Sequence, residues 1–468
     1  MSSKYNGNFV VAAAGSATLP RPMIIRSRRS TLVIAIIAAA LVVGGWLSFS
    51  SDSEIGQTAG DAAPSSGSDA ATVDRPAVAQ QRRFDSAPEE AATRATSNRD
   101  ALFEHLRSKL TAANVVPREA LLTFRSAEAR ERFARNAAAY GLEILDQIPE
   151  LNTARVRYGR LEELRESIAA SGGEDATVEG NLWLSIPGAA PPSPDPNNQG
   201  GRAPFGPAMM NAINASGDRS AWGDKVTVAV VDTGVLGHPT FAQGQVTHLD
   251  LVNDGQPFHS HGTSVASLIG GQHPQAPGVA PAAHILDVRV ANGEGYSVSS
   301  TLAQGIITAT DRGARVINIS LGGYGDSAIL AQAVAYASQR GAVVVAAAGN
   351  DAYGQLAIPA AYESVISVGS VDANNRQAYF SNSGAGLDIA APGVGVISAW
   401  QTDKVALVSG TSQSSALVSA AAASYLAWGV SPAQMAARLK VDARPTFNAS
   451  GVATGVGILN IKPPAGRR

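Results

Sequence analysis

Apolar and polar positions divide this chain into stretches of different character. Residues 32–49 are uncharged and mostly apolar, a run of roughly 18 against the ~20 that a membrane-crossing helix needs. Lys4, Arg21, Arg26, Arg28 and Arg29 precede it, and the first acid is Asp52. Basic flanks stay cytoplasmic. The pattern predicts a cytoplasmic N-terminus over 1–30, a transmembrane helix over 31–49, and an extracytoplasmic remainder. A cleaved signal peptide, and hence secretion, is the alternative. Against it, the run exceeds a usual signal h-region and no clear Ala-x-Ala site follows. Residues 50–98 are rich in Ala, Ser, Asp, Gly, Thr and Pro. With so little apolar surface to bury, they read as a disordered linker.

Over 99–186 the spacing predicts β-α-β-β-α-β. Strands are expected at Glu119–Phe124, Leu142–Ile148, Ala154–Tyr158 and within Ala176–Ile186, with helices at Ser126–Tyr140 and Leu161–Ala170. That order belongs to a small α+β ferredoxin-like sandwich. Residues 187–207, dense in Pro, Gly and Asn, read as a linker.

Over 208–468 short apolar runs alternate with helical stretches. The runs are Val226–Val231, His284–Val290, Val316–Leu321, Ala342–Ala348 and Val365–Val371. Thr263–Ile269, Ser299–Arg312, Ile329–Arg340 and Gln413–Trp428 carry helical spacing. Nearly continuous apolar strands are covered on both faces. The fold class is therefore α/β, a mainly parallel sheet with helices on both faces.

Composition narrows the chemistry. The chain has 468 residues and a net charge of −2, so no bulk basic field points to nucleic acid. It has no cysteine, which excludes disulfides, a thiol nucleophile and Cys-ligated zinc.

Four stretches carry candidate chemistry: Val-Ala-Val-Val-Asp232-Thr-Gly, His261-Gly-Thr, Ala-Ala-Gly-Asn350 and Ser-Gly-Thr-Ser412. Asp232 ends an apolar strand, where ligands gather in open α/β sheets. A carboxylate there can hold a histidine ring in one tautomer. His261 can accept and return a proton near neutral pH. His259 stands two positions away as its competitor. Ser412 opens a small-residue helix, whose N-terminal N–H groups suit a developing oxyanion, and serine needs a neighbouring base to attack. The Asn350 side-chain N–H₂ can donate to the same oxyanion.

Together these motifs resemble the subtilisin-like serine proteases, the subtilase family, over roughly Ala208 to Ile461. The chain order Asp, His, Ser and the oxyanion Asn are those of subtilisin itself. The resemblance implies a serine endopeptidase acting on polypeptides, with Asp232, His261 and Ser412 as triad and Asn350 as oxyanion donor. It implies that Ser320, Leu321 and Gly322 pair with the substrate backbone, and that Gly295 and Tyr296 form the opposite edge. It implies that Ala348 and Gly349 wall the pocket for the residue before the cut. The 99–186 sandwich is similar to a subtilase prodomain, which assists folding, inhibits its own enzyme and is cut away. The chain departs from the family at Gln413-Ser414-Ser415-Ala416-Leu417 after the serine and at Ser264 and Ser267 after the histidine. No cofactor is required. Many subtilases bind calcium, and no dense Asp/Asn loop assigns ligands here. A catalytically silent peptide-binding protein is the alternative function. An acid-active sedolisin-type protease would carry Glu at 261 and Asp at 350, so the residues argue against it.

Overall fold

The computed structural model describes residues 10–11, 103–170, 176–188, 201–447 and 453–464. The expected transmembrane helix (31–49), the linker (50–98) and most of the second linker (189–200) lie outside the described residues. No helix among the described residues is long and apolar enough to cross a membrane.

A nine-stranded sheet organises the C-terminal part. Its spatial order is Arg444–Phe447, Ala453–Ile458, Ile389–Pro392, Val365–Val371, Val343–Ala347, Val316–Ile319, Thr227–Asp232, His284–Arg289, Val246–Asp250. Neighbours run parallel throughout, except for the antiparallel pair at the Arg444–Phe447 edge. Alternation along a strand sends successive side chains to opposite faces. Val228 and Val230 accordingly join one core, with Leu268, Ala416 and Ala420. Ala229 and Val231 join the other, with Leu302, Ile306, Ile329 and Val334. Helices Ser260–Gly270 and Thr411–Ala427 therefore cover one face, and Ser299–Asp311 and Ala328–Gln339 the other. Thr411–Ala427 is buried almost throughout, and its run of small residues lets it lie close against the sheet.

Several element boundaries differ from the sequence reading. The two site helices begin earlier than expected, at Ser260 and Thr411, so His261 and Ser412 both sit in a first turn. The helix after Ser126 stops at Asn136 and tightens to 3₁₀ over Ala137–Tyr140, ending where Gly141 adopts φ +72°. The strands Val246–Asp250 and Tyr296–Val298 carry no continuous apolar run and escaped the pattern.

The N-terminal sandwich runs Val115–Phe124, Ala127–Asn136, Glu143–Ile148, Thr153–Arg157, Leu161–Ala170, Ala176–Ser185. Its strands are antiparallel, in the spatial order Ala176–Ser185, Val115–Phe124, Thr153–Arg157, Glu143–Ile148. Phe124, Phe133, Leu122, Val156, Leu164 and Ile168 form its own core. Its outermost strand also pairs with Tyr296–Val298 of the large sheet's domain, Tyr296 opposite Ser185 and Val298 opposite Trp183.

Candidate active site

Asp232 closes the strand Thr227–Asp232 and is fully buried. Its backbone carbonyl accepts from Val290 and Ala291, which fixes the strand end. Oδ1 accepts from the Thr233 N–H at 2.7 Å and from His261 Nδ1 at 2.8 Å. Donation from Nδ1 leaves His261 Nε2 as the ring atom free to act as base. Oδ2 is buried with no hydrogen-bond partner among the described residues.

The turn after Asp232 is tied to the helix that carries His261. Thr233 Oγ1 donates to the His259 carbonyl at 2.9 Å and accepts from Gly262 N–H at 3.1 Å, while Leu236 N–H donates to Thr263 Oγ1 at 2.9 Å. Here the backbones touch. A Cβ at Gly262 would lie 2.4 Å from the Gly234 carbonyl oxygen. The two histidines differ in their partners. His259 Nδ1 accepts from the His261 N–H at 3.2 Å and caps the helix, and no carboxylate among the described residues bonds its ring. Burial, with the nearby His261, pushes His259 below the usual histidine range.

Ser412 is 2% exposed in the first turn of its helix. Its hydroxyl donates to the Ser320 carbonyl at 3.3 Å, and no hydrogen bond to His261 is formed. The two departures from the family pattern meet here. Gln413 Nε2 donates to Ser264 Oγ at 3.4 Å, and Ser264 Oγ is in turn bonded to Ser398 Oγ at 2.8 Å. Ser414 donates to Ala391 and Pro392 carbonyls, and Ser415 Oγ lies 3.0 Å from Ser320 Oγ. Every hydroxyl introduced after Ser412 is thus satisfied, as buried polar groups require.

Asn350 follows the strand Val343–Ala347, and its carboxamide orientation is set by its partners. Oδ1 accepts from Thr411 N–H at 2.9 Å and from Thr411 Oγ1 at 2.8 Å. Nδ2 therefore faces away, and it reaches the Gly188 carbonyl at 3.5 Å. Gly410 keeps this approach open, because a Cβ there would lie 3.1 Å from Asn350 Nδ2 and 2.8 Å from Gln413 Oε1.

Of the residues expected to bind substrate, Gly295, Tyr296 and Gly322 flank a segment of the chain itself. Ser185 and Gly322 exchange N–H···O bonds of 3.0 and 2.9 Å, and Ile186 N–H donates to the Gly295 carbonyl at 2.9 Å. The segment 183–186 thus lies as a strand between the Tyr296 edge and the Gly322 edge. Ser320 and Leu321 are buried behind Gly322. Ala348 and Gly349, the expected pocket wall, are buried, and the Ala348 carbonyl accepts from Ala357 N–H and Asn382 Nδ2. The sequence reading missed the parts played by Thr411 and Gly188, since these depend on contacts remote in the chain. No group of three or more His, Cys, Asp or Glu that could hold a metal lies among the described residues.

The Subtilase family model, Peptidase_S8, matches residues 223–458. The chain is 37% identical over 223 residues to Subtilisin Savinase of Lederbergia lenta, covering 47% of this chain and 82% of that protein. It is 37% identical over 259 residues to Thermitase of Thermoactinomyces vulgaris, covering 53% of this chain and 92% of that one. In fold it is similar to fervidolysin from Fervidobacterium pennivorans, a keratinolytic enzyme related to subtilisin. The TM-score is 0.62 at 24% identity, over 75% of this chain and 61% of that one. This chain belongs to the subtilase family and is a subtilisin-like serine endopeptidase.

Proposed function

We propose that Asp232, His261, Ser412 and Asn350 are the catalytic residues of a self-processing zymogen, and that residues 99–186 are its prodomain. One observation carries this reading. The chain leaves the small sandwich as a strand held on both sides of the cleft, and the carbonyl of Gly188 then lies against Asn350 Nδ2. A bound peptide with its carbonyl at an oxyanion donor is a substrate placed for attack.

The steps follow from the geometry. Rotation about χ1 turns Ser412 Oγ from the Ser320 carbonyl toward His261 Nε2. The hydroxyl proton passes to Nε2 as Oγ bonds to the carbonyl carbon. Asn350 Nδ2 and the Ser412 N–H hold the oxyanion, and Asp232 holds the imidazolium. His261 then gives its proton to the leaving amine, and water, deprotonated by His261, releases the acyl group.

Inhibition has the same source. Glu179 of the sandwich accepts from the Ala328 and Ile329 N–H groups at 2.7 and 2.8 Å, and Asn181 accepts from Ser299 Oγ and Ser300 N–H. Both cap helix N-termini of the large domain, where unpaired donors and the dipole favour such partners. The likeness to fervidolysin also extends well beyond residues 223–458. Extracytoplasmic placement, by a membrane anchor over 31–49 or by secretion, rests on the sequence alone. The substrate is polypeptide, no cofactor enters these steps, and calcium has no ligands assigned.

The test compares the full chain with its Ser412→Ala variant by intact mass, N-terminal sequencing and fluorophosphonate labelling. Wild type is expected to be labelled once and cut after Gly188, giving a new N-terminus at Ala189, while the variant stays whole and unlabelled. If both stay whole and unlabelled, the chain is a silent peptide-binding member of the family.

A further inference from the structure

Tyr324 bridges the segment that follows Gly322 and the segment that carries Asn350 and Asp351. Its backbone continues the Ser320–Gly322 edge, and its own carbonyl accepts from Asn114 Nδ2 at 2.6 Å. Its ring reaches the opposite wall, where the hydroxyl donates to Asp351 Oδ2 in a short hydrogen bond. Asn382 Nδ2, fully buried, donates to the Tyr324 hydroxyl at 2.7 Å and to the Ala348 carbonyl at 3.1 Å. Asn382 Oδ1 accepts from Asp351 and Tyr353 N–H, both at 3.0 Å. The hydroxyl therefore ties the segment after Gly322 to Asp351 and Asn382, beside the expected wall at Ala348 and Gly349 of the pocket before the scissile bond. The fit is close, because a Cβ at Gly349 would lie 2.3 Å from Asn382 Nδ2 and 3.2 Å from the Tyr324 hydroxyl. Burial, then the Asp351 hydrogen bond, raises the phenol well above its usual range, so it stays a donor.

We infer that Tyr324, locked to Asp351 and Asn382, closes this pocket and restricts the enzyme to peptides with a small residue, glycine or alanine, before the cut. The inference rests on the cleft assignment of the proposed function and adds the substrate class. The chain's own occupant agrees with it, since the residue whose carbonyl meets Asn350 is Gly188. An aromatic side chain would have to displace the Tyr324 ring and break its bonds to both partners, leaving Asn382 with an unpaired buried donor. A lysine would find the Asp351 carboxylate already engaged by the phenol.

The experiment uses the self-processed enzyme and tetrapeptide anilides that differ only in the last residue: Gly, Ala, Phe or Lys. Alanine is expected to exceed phenylalanine and lysine in kcat/KM by about tenfold or more, the scale on which pocket size discriminates. Tyr324→Ala is expected to raise the Phe/Ala ratio about tenfold or more, chiefly through KM. Tyr324→Phe, which keeps the ring and loses both hydrogen bonds, is expected to raise it less. A wild-type preference for Phe or Lys overturns the inference, as does a Phe/Ala ratio unchanged in both variants. Labelling of the same samples separates the two failures. A labelled enzyme with the wrong preference sinks only this inference, whereas an unlabelled chain that cleaves nothing sinks the protease reading with it.

Discussion

Thr411 holds Asn350 through one oxygen, which accepts both the Thr411 N–H at 2.9 Å and its hydroxyl at 2.8 Å. Ser412, the proposed nucleophile, is the next residue, so this pairing couples it to the proposed oxyanion donor within one turn of backbone. Thr411→Val keeps the shape and the backbone bond but removes the hydroxyl, which donates to Asn350 and also accepts a longer bond from Gly349 N–H at 3.3 Å. Loss of the Asn350 bond costs about 1–2 kcal/mol, so kcat is expected to fall about 5–30-fold with KM near wild type. Steady-state kinetics on a peptide anilide check this. A raised KM with kcat intact would mean that Thr411 shapes binding instead.

Asn350→Ala removes the donor aimed at the Gly188 carbonyl. The expected loss is about 10²–10³-fold in kcat, a figure established on subtilisin itself for the matching donor. Fluorophosphonate labelling should persist at a reduced rate, because Ser412 and His261 remain. Near-normal kcat would remove Asn350 from the oxyanion site.

Gly262→Ala tests the contact between the elements that carry Asp232 and His261. The added methyl would meet the Gly234 carbonyl oxygen at 2.4 Å, a backbone atom that cannot swing aside. Overpacking of this kind typically costs 1–3 kcal/mol. Melting temperature and kcat/KM should fall together, with kcat/KM down at least about tenfold as the turn after Asp232 moves. Wild-type turnover would show that the two elements are less tightly coupled than the contact implies.

His248 supplies a pH-dependent stability term near the site. Its Nδ1 lies 2.6 Å from Asp287 Oδ2, which also accepts from Val235 N–H in the turn that follows Asp232. The hydrogen bond to Asp287 raises His248 above the usual histidine range, with Asp250 assisting and Arg289 opposing. Burial, and secondarily the Asp232 charge, pushes Asp287 above the usual carboxylate range, against the hydrogen bonds from His248 and Val235 N–H. Because the folded-state value exceeds the unfolded ~6.5, the contribution is complete below that pH and fades as pH rises through the folded-state value. His248 is 40% exposed, so the effect is modest. In a Ser412→Ala background, His248→Gln should lower the melting temperature most at pH 5–6, and the gap should narrow toward pH 9. A gap constant across that range would rule out the charged pair.

Much of the fold was legible because its signals are local. Continuous apolar runs such as Val228 to Val231 mark strands buried on both faces, and Asp232 at the end of one marks a site edge. What escaped was set by neighbours. Val246–Asp250 is an edge strand with exposed Thr247 and His248, so no run announces it. Tyr296–Val298 is a strand because Ala176–Ser185 pairs with it, across more than a hundred residues of chain.

The sequence by itself determined the four candidate chemical groups, their order, and the alternation of strands and helices. Side-chain chemistry and hydrophobic periodicity are properties of short stretches. Only the tertiary structure decided that Asp232 pairs with His261 rather than His259, and that Gln413 meets Ser264. It also decided that Thr411 holds Asn350, that the Gly188 carbonyl meets Asn350 Nδ2, and that the Tyr324 hydroxyl meets Asp351 and Asn382. Those relations depend on distances of a few ångströms between residues far apart in the chain. Packing of the whole sheet and its helices fixes those distances, and no local pattern encodes them.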